Sequence, residues 1–332
     1  MLTKLTAVAT ILLIFIGSLV TSTGSGLAVP DWPLSFGGLF PPMVGGILYE
    51  HGHRVVAALV GVLIVVQAVV LSRRDPRRWV RALGWTAVAA VVVQGGFGGL
   101  TVILLLPTAV SATHAMLAQS LLLLTLVIAY ANSAEWARRA GDFGDEHASA
   151  ADRHPAIARW LVITLVAGYL QLFIGALMRH TEAGLAVPDF PLIGGQLLPL
   201  FDQQMYAHIA ADRRALALPP VVAGQVVVHV LHRLWALGVI AAAVVVNYVA
   251  RRPPAQRWEV LQPLTWLNWL IGLQVMLGAA TVLTGRVPLV ASLHVAVGAA
   301  TLATVVLALL RTLPPRVRRG ASEDAPPSAQ PT

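Results

Sequence analysis

Eight long apolar stretches divide this sequence, and they constrain the fold more than any other feature. A helix needs about 20 mostly apolar residues to cross the hydrocarbon of a bilayer. The stretches meet that length and cover residues 5–22, 52–72, 80–106, 109–131, 159–179, 222–250, 259–284 and 288–311. Since 57% of all residues are hydrophobic and only 11% are charged, little chain remains for a soluble domain. We therefore predict an all-α integral membrane protein of eight transmembrane helices.

The positive charges follow the predicted crossings. Of the 23 Lys and Arg residues, 17 fall in segments that eight crossings would place on one side. An excess of Lys and Arg marks cytoplasmic loops, so we expect both termini in the cytoplasm. This distribution explains the net charge of +8, so no nucleic-acid partner is predicted. No amphipathic presequence rich in Arg and Ser precedes the first stretch, which favours a bacterial cytoplasmic membrane over a mitochondrial one.

An internal repeat organises the chain. Residues 26–34 return as residues 184–192, an offset of 158 with eight of nine residues identical. Four crossings separate the copies, an even number, so both halves have the same orientation in the membrane. The predicted architecture is two parallel-repeat four-helix bundles. Its parts are an N-terminal half at 1–131, a cytoplasmic linker at 132–158, a C-terminal half at 159–312 and a disordered tail at 313–332.

Four of the ten histidines recur with the repeat, in the opening turns of four predicted helices near the outer face. They are His53 and His114 in the first half, which correspond to His232 and His294 in the second. Ionisable side chains inside membrane helices are expensive and mark functional sites. Five others are expected in solvent or at interfaces. His51, His180 and His208 belong to outer loops or helix edges, while His147 and His154 belong to the linker.

Haem iron suits these pairs better than another metal. Two imidazoles from facing helices of a bundle can bind a haem from both sides, whereas zinc or copper usually takes three or four protein ligands. The chain has no cysteine, which excludes thiolate ligands and covalent haem attachment through cysteine. We therefore predict one haem site in each half.

The two halves differ at one position beside the histidines. Glu50 stands three residues before His53, on the same face of the helix, and its counterpart at an offset of 179 is His229. A carboxylate can act as a base, orient water or stabilise a developing cation. Only the first half is therefore predicted to be catalytic.

Arginine and aspartate residues near these sites have two interpretations each. Arg54 and Arg233 directly follow their histidines, and a guanidinium there could bind a haem propionate in bidentate fashion. Contact with a lipid headgroup is the open alternative. Asp31 and Asp189 lie in turns flanked by proline, where capping of a neighbouring backbone amide is expected.

Taken in order, these features resemble the haem A synthase family. The likeness rests on eight helices in two halves, on Glu50-His-Gly-His53-Arg54, on a Thr-Gly-Ser-Gly-Leu run and on Asp31-Trp-Pro, and it covers residues 5–311. The resemblance implies oxidation of the ring methyl of haem O to a formyl group for cytochrome oxidase biogenesis. Successive hydroxylations and a final dehydration would give the aldehyde, with electrons passing through the second half.

The resemblance also implies roles for individual residues. Glu50 would be the catalytic glutamate, and His53 and His114 would bind the iron of the substrate haem. His232 and His294 would bind the iron of a haem b cofactor. Expected partners are haem O, the synthase that makes it, oxidase assembly factors and membrane lipid, and a homo-oligomer stays open.

The chain departs from the family pattern at two places. Many members carry a cysteine pair in an outer loop, and this chain has none, which leaves the route of the electrons open. Many also carry an arginine after the first helix, where this chain reads Val20-Thr-Ser-Thr23. Arg179 stands near the corresponding place in the second half, so the first site is expected to hold its substrate's propionates differently.

Two other functions compete with the synthase. A di-haem b protein could pass electrons between quinol and a partner, but pure electron transfer gives no reason for a carboxylate in one half only. A transporter built from parallel repeats would need a polar site at the membrane midplane, whereas the polar residues here lie near the outer ends of the predicted helices.

Overall fold

Helices account for all regular secondary structure in the part of the chain that the computed structural model describes, which is residues 1–142, 155–252 and 258–313. Eight of them are long and apolar enough to cross a membrane. They are α1 (Leu2–Ser22), α2 (Gly45–Arg74), α3 (Arg78–Ile103), α4 (Thr108–Ala131), α6 (Pro155–His180), α8 (Ala223–Ala250), α9 (Trp258–Leu283) and α10 (Pro288–Thr312). The predicted all-α fold with eight membrane-spanning helices is confirmed.

Two shorter helices lie in the connections between these spans. Helix α5 (Ala134–Asp142) follows α4, and α7 (Gln203–Ala215) lies between α6 and α8. The carboxylate of Asp202 caps α7 by accepting a 2.8 Å hydrogen bond from the amide of Met205. Met205 and Ile209 are buried in a small apolar cluster beneath the helix. This packing explains why a segment of mixed composition is helical.

Helix α2 begins at Gly45, seven residues before the apolar stretch predicted from the sequence. The additional residues are rich in glycine and polar groups, which hydropathy does not assign to a crossing. The consequence is that His53 lies in the third turn of α2 and not in its opening turn. His53 is thereby about 12 Å from the start of the helix, at 1.5 Å per residue.

The long helices contact one another in two groups of four. In the first half α1 packs on α2 and α4, and α3 packs on its two neighbours in sequence. In the second half α6 packs on α8 and α10, and α9 packs between those two. Contacts of α1 with α10, and of α4 with α6 and α10, join the groups. The two-repeat bundle stays a prediction from the sequence, and these contacts are the arrangement that it requires.

Arginine side chains hold the predicted inner ends of the helices together. Arg77 makes a bidentate contact with Asp75, donates to the carbonyl oxygen of Ala131 at 2.8 Å and lies 4.4 Å from the ring centre of Trp136. The hydrogen bond from Arg77 holds the pKa of Asp75 below its ordinary value. These contacts join the α2–α3 turn to α4 and α5.

The predicted linker and tail are described in part. Residues 132–158 include α5 and the first residues of α6. Residues 143–154 and the tail from residue 314 lie outside the described residues, as do His147 and His154. The domain boundaries therefore stay predictions.

Candidate functional site

The four repeated histidines lie on corresponding helices of the two halves. His53 is in α2 and His114 in α4, while His232 is in α8 and His294 in α10. Each is half-buried. We call His53 and His114 the first histidine pair, and His232 and His294 the second histidine pair.

The rings of the second histidine pair have the separation that one iron between them requires. Their centres are 6.4 Å apart and their planes meet at 70°. A metal–imidazole bond is about 2 Å long and the ring centre lies roughly 1.2 Å behind the bonded nitrogen, so two rings on opposite sides of one metal have centres about 6.4 Å apart. The geometry of the second pair therefore fits a haem bound from both faces.

A glycine on a neighbouring helix faces each of the four rings. A methyl group built on Gly17 would lie 2.9 Å from Cε1 of His53, and one on Gly175 would lie 3.1 Å from Cε1 of His232. Gly98 and Gly278 face His114 and His294 in the same way, each at 3.2 Å. No side chain larger than hydrogen fits at these distances without moving the ring. The glycines thus create the space that the imidazoles occupy.

Three of the four histidines are each contacted by a glutamine of a neighbouring helix. The side-chain amide nitrogen of Gln94 donates to the backbone carbonyl of His114 at 3.0 Å, and that of Gln274 donates to the carbonyl of His294 at 2.9 Å. Gln171 makes the same contact with His232 at 3.1 Å. Each glutamine stands four residues before the glycine that faces the same histidine. The pattern is therefore Gln-x-x-x-Gly on α3, α6 and α9.

The first helix carries the glycine of this pattern without the glutamine. Gly17 corresponds to Gly175 at the offset of 158, and Leu13 stands where Gln171 stands in the second half. His53 therefore has no glutamine at the place that holds its counterpart His232. Gln94 recurs as Gln274, and Gly98 as Gly278, at an offset of 180, whereas Gln171 and the glycines of α1 and α6 were missed from the sequence. The four-residue spacing was the signal that could have found them.

Glu50 is buried and both of its carboxylate oxygens are bonded. Only 4% of the residue is exposed. Oε2 accepts a 2.8 Å hydrogen bond from the backbone amide of Val29, and Oε1 pairs with Arg54 at 2.6 Å. The loop after α1 and the next turn of α2 therefore fix the carboxylate in one orientation, one helical turn from His53.

His229 takes the place of Glu50 in the second half. Its Nδ1 lies 3.2 Å from the amide nitrogen of Val187 and its Nε2 lies 3.2 Å from Nε of Arg233, and a neutral imidazole accepts a hydrogen bond from only one of the two. Val187 corresponds to Val29 at the offset of 158. The two halves thus use the same backbone amide and the same arginine position to hold different side chains, a carboxylate in one half and an imidazole in the other.

The two arginines that follow the histidines bind the outer loops. Arg54 donates to the backbone carbonyls of Val29, Asp31 and Leu34 at 2.7–3.2 Å. Arg233 donates to the backbone carbonyl of Leu192 at 2.9 Å and to the backbone carbonyl of Val187 at 2.8 Å. These contacts fold each loop onto its helix. A propionate contact for either arginine stays a prediction.

The aspartates of the repeated loops cap backbone amides, as predicted. Asp31 accepts from the amides of Phe36 and Gly37 at 2.7 and 2.8 Å. The hydrogen bond from Gly37 contributes most to holding the pKa of Asp31 below its ordinary value. Asp189 accepts from Gly194 and Gly195 at 3.0 and 2.8 Å. Both loops are therefore built by the same pair of hydrogen bonds.

The other described histidines are in different surroundings. His51 lies inside α2, is 9% exposed and contacts Ser35 through a 2.8 Å hydrogen bond, so the expectation that it is solvated or interfacial is wrong. His208 lies on α7 and is exposed, and His180 is the last residue of α6.

Each histidine pair supplies two imidazole ligands. Among the described residues, the only cluster of three or more metal-ligating side chains is Asp189, His208 and Asp212, with ligand atoms within 4.8 Å of one another. Neither histidine pair is part of it. The donor set of each pair thus suits haem iron better than zinc or copper.

Comparison with known proteins assigns the family. Residues 46–306, well over half of the chain, match the sequence model of COX15-CtaA, described as cytochrome oxidase assembly protein. The chain belongs to the COX15-CtaA family. The matched segment contains Glu50 and all four repeated histidines.

Individual relatives agree with this assignment. A protein from Alkalihalophilus pseudofirmus named heme A synthase is 30% identical over 212 residues, which cover 61% of this chain and 67% of that protein. A heme A synthase from Symbiobacterium thermophilum is 29% identical over 265 residues, 79% of this chain and 78% of that protein. One from Rhodopseudomonas palustris is 28% identical and covers 95% of this chain and 90% of its own length. The likeness therefore extends over both halves.

Proposed function

We propose that this COX15-CtaA protein is a haem A synthase, an enzyme that oxidises the ring methyl of haem O to a formyl group. Its family and the names of its relatives support this function. The structural observation that carries it is the difference at one position. The first half holds a carboxylate, Glu50, at the place where the second half holds His229.

In this proposal the first histidine pair binds the iron of the substrate haem O. Glu50 lies one helical turn from His53, and its bonds to Val29 and Arg54 fix the direction of its carboxylate. A fixed negative charge beside the reacting edge can stabilise a developing cation or accept a proton from water. Arg54 also balances the charge of the buried carboxylate, which would otherwise be expensive inside the protein.

The second histidine pair is the proposed ligand set of a haem b cofactor. The ring separation of 6.4 Å supports this assignment. Bound haem b would supply one-electron redox chemistry and take up electrons that leave the substrate. His232 and His294 would hold it in a fixed orientation, and His229 offers no carboxylate with which to repeat the chemistry of the first half.

The protein is a multi-pass membrane protein, and we place it in a bacterial cytoplasmic membrane with both termini in the cytoplasm. The distribution of Lys and Arg supports this orientation. The histidine pairs then lie toward the outer face. Haem O synthase and oxidase assembly factors are proposed partners, because they supply the substrate and receive the product.

Replacement of Glu50 by histidine is the sharpest test, because His229 shows that histidine can accept the same loop amide and contact the same arginine position. The chain is co-expressed with a haem O synthase in a host that lacks haem A, and extracted haems are identified by chromatography and mass spectrometry. We expect haem A from the parent chain. Glu50→His should accumulate, contain haem O and form no haem A.

Three results would contradict the proposal in whole or in part. If the parent chain contains haem b alone while haem O is present and untouched, the di-haem b electron-transfer function is favoured. If Glu50→His and Glu50→Gln both give the parent yield of haem A, the carboxylate has no catalytic role. His232→Ala and His294→Ala are expected to lose haem b, and full haem b in both variants would make the assignment of the halves wrong.

A further inference from the structure

Three half-buried glutamines beside the proposed haem ligands each have a bonded amide nitrogen and a buried amide oxygen without a partner. The amide nitrogens of Gln94, Gln171 and Gln274 donate to the backbone carbonyls of their histidines. Their Oε1 atoms are buried and have no hydrogen-bond partner. A buried acceptor without a partner destabilises the folded protein, so three repeated cases are unusual unless a donor arrives when the site is filled.

The histidines have a matching unbonded group. Nδ1 of His114 and Nδ1 of His294 are buried without a partner. A histidine that binds a metal through one ring nitrogen almost always donates its other N–H to a nearby acceptor, which fixes the ring and strengthens the ligand. In the second half, the side-chain amide nitrogen of Gln171, which is a donor, lies 3.2 Å from Nδ1 and 3.3 Å from Nε2 of His232. Its Oε1 is the only atom of that side chain able to accept a ring N–H.

His53 alone lacks this support. Its Nδ1 is also buried without a partner, but the residue one turn before Gly17 is Leu13, which packs on the apolar cluster of the first half. A leucine side chain can neither hold a carbonyl oxygen nor accept an N–H. The first histidine pair therefore has one supported ring, and the second pair has two.

We propose that Gln94, Gln171 and Gln274 are positioning residues for the haem ligands, and that Leu13 leaves His53 the ligand that is most readily released. The second site, supported on both sides, retains its haem as a cofactor. The first site, supported on one side, exchanges substrate for product. This inference rests on the proposed haem ligation by the two histidine pairs.

The first experiment measures haem release from the purified full-length protein. Transfer of haem b to apomyoglobin is followed by absorbance for the parent, Gln171→Leu and Gln274→Leu. We expect release to be about 10- to 100-fold faster in both variants, the range found when a partner of a metal ligand is removed. The matched control is Gln67→Leu, because Gln67 is a fully buried membrane glutamine with no hydrogen-bond partner; its haem b release should equal that of the parent.

A spectroscopic readout separates positioning from simple packing. The low-spin ferric signal of haem b in electron paramagnetic resonance depends on the hydrogen bond and orientation of its imidazoles. Gln274→Leu should shift this signal, whereas Gln67→Leu should not. If a leucine variant fails to accumulate, Gln171→Met and Gln274→Met keep the length of the side chain and are measured instead.

The second experiment adds the missing glutamine to the first half. Leu13→Gln should slow the release of haem O or haem A from the first site by about tenfold, a change again taken from the effect of supporting a metal ligand. Haem b release should stay at the parent rate, since the second pair is unchanged.

The outcomes distinguish this inference from the proposed function. Parent rates of release and unchanged spectra in both glutamine variants, with haem b lost in His232→Ala, would overturn the positioning role and leave the haem ligands in place. Full haem b in His232→Ala and His294→Ala would instead remove the proposed function. If Leu13→Gln releases haem O or haem A from the first site at the parent rate, the proposal that Leu13 allows substrate and product to exchange there is wrong.

Discussion

Replacing Gly278 with alanine tests whether the glycines of α9 and its equivalents set the positions of the haem ligands. The new methyl group would lie 3.2 Å from Cε1 of His294, whereas ordinary contact begins at 3.4 Å and extends to 4 Å. The methyl group is attached to a helix backbone and cannot move away, so the imidazole must shift by a few tenths of an ångström. The ring would then leave the position that fits one iron opposite His232.

The size of the effect follows from that shift. Disturbing the orientation of a metal ligand typically weakens metal binding about 10- to 100-fold, which is about 1.4–2.7 kcal/mol. The helix itself should not suffer, because alanine is favoured over glycine inside helices by about 1 kcal/mol. We therefore expect Gly278→Ala to accumulate normally but to lose haem b more readily than the parent.

Gly272 provides the matched control on the same helix. A methyl group built on it meets no atom within 4 Å, so Gly272→Ala gains the same helix propensity without touching a histidine. Haem b per protein is measured by the pyridine haemochrome method after purification, and its release is followed by transfer to apomyoglobin. Parent haem content and parent release in Gly278→Ala would refute the reasoning, and equal losses in both variants would show that the effect is not specific to the histidine contact.

Three further predictions concern the contacts around the sites. Arg77 lowers the pKa of Asp75, so at pH values above the ordinary carboxyl pKa the ion pair should stabilise the fold by about 2 kcal/mol. This contribution should be lost as the pH falls through the lowered pKa. Thermal unfolding in detergent should therefore depend less on acid pH in Asp75→Asn than in the parent. Arg54→Lys cannot reproduce the donations to three loop carbonyls, so melting should occur several degrees lower and haem A yield should fall, while equal melting would contradict the role of the guanidinium. Arg179 donates to the carbonyl of Ser18 at 2.6 Å, joining α6 to α1, and Arg179→Gln should lower the free energy of unfolding by about 2 kcal/mol in a denaturant titration.

The membrane architecture could be predicted from the sequence because each crossing leaves a strong signal. Seven of the eight spans begin and end within a few residues of the apolar stretches. The exception is α2, which begins seven residues early. Its first two turns contain Glu50 and His51, and both are satisfied by loop contacts, to Val29 and Ser35. Hydropathy counts such residues as solvent-exposed, since it has no knowledge of the partners that the fold provides.

The repeat revealed the histidines and Glu50, but only some of the residues that support them. Gln171 was missed because its counterpart is Leu13, so comparison of the two halves shows a difference there and not a match. Helix α7 was missed because its stability depends on a capping aspartate and on the burial of Met205 and Ile209 beneath it. In both cases the decisive information is which side chains meet in space, and the sequence of one chain does not contain it directly.

Glu50 and His229 are held by corresponding contacts in the two halves, and this affects how the sequences of the two halves can change after a duplication. A loop amide and an arginine one turn along the helix contact a carboxylate in one half and an imidazole in the other. After duplication, a half can therefore gain or lose an acid at this position while its loop stays folded. Division of labour between the halves requires a change of side chain and no new architecture, and a chimera carrying two copies of either half is a protein that can be made and studied.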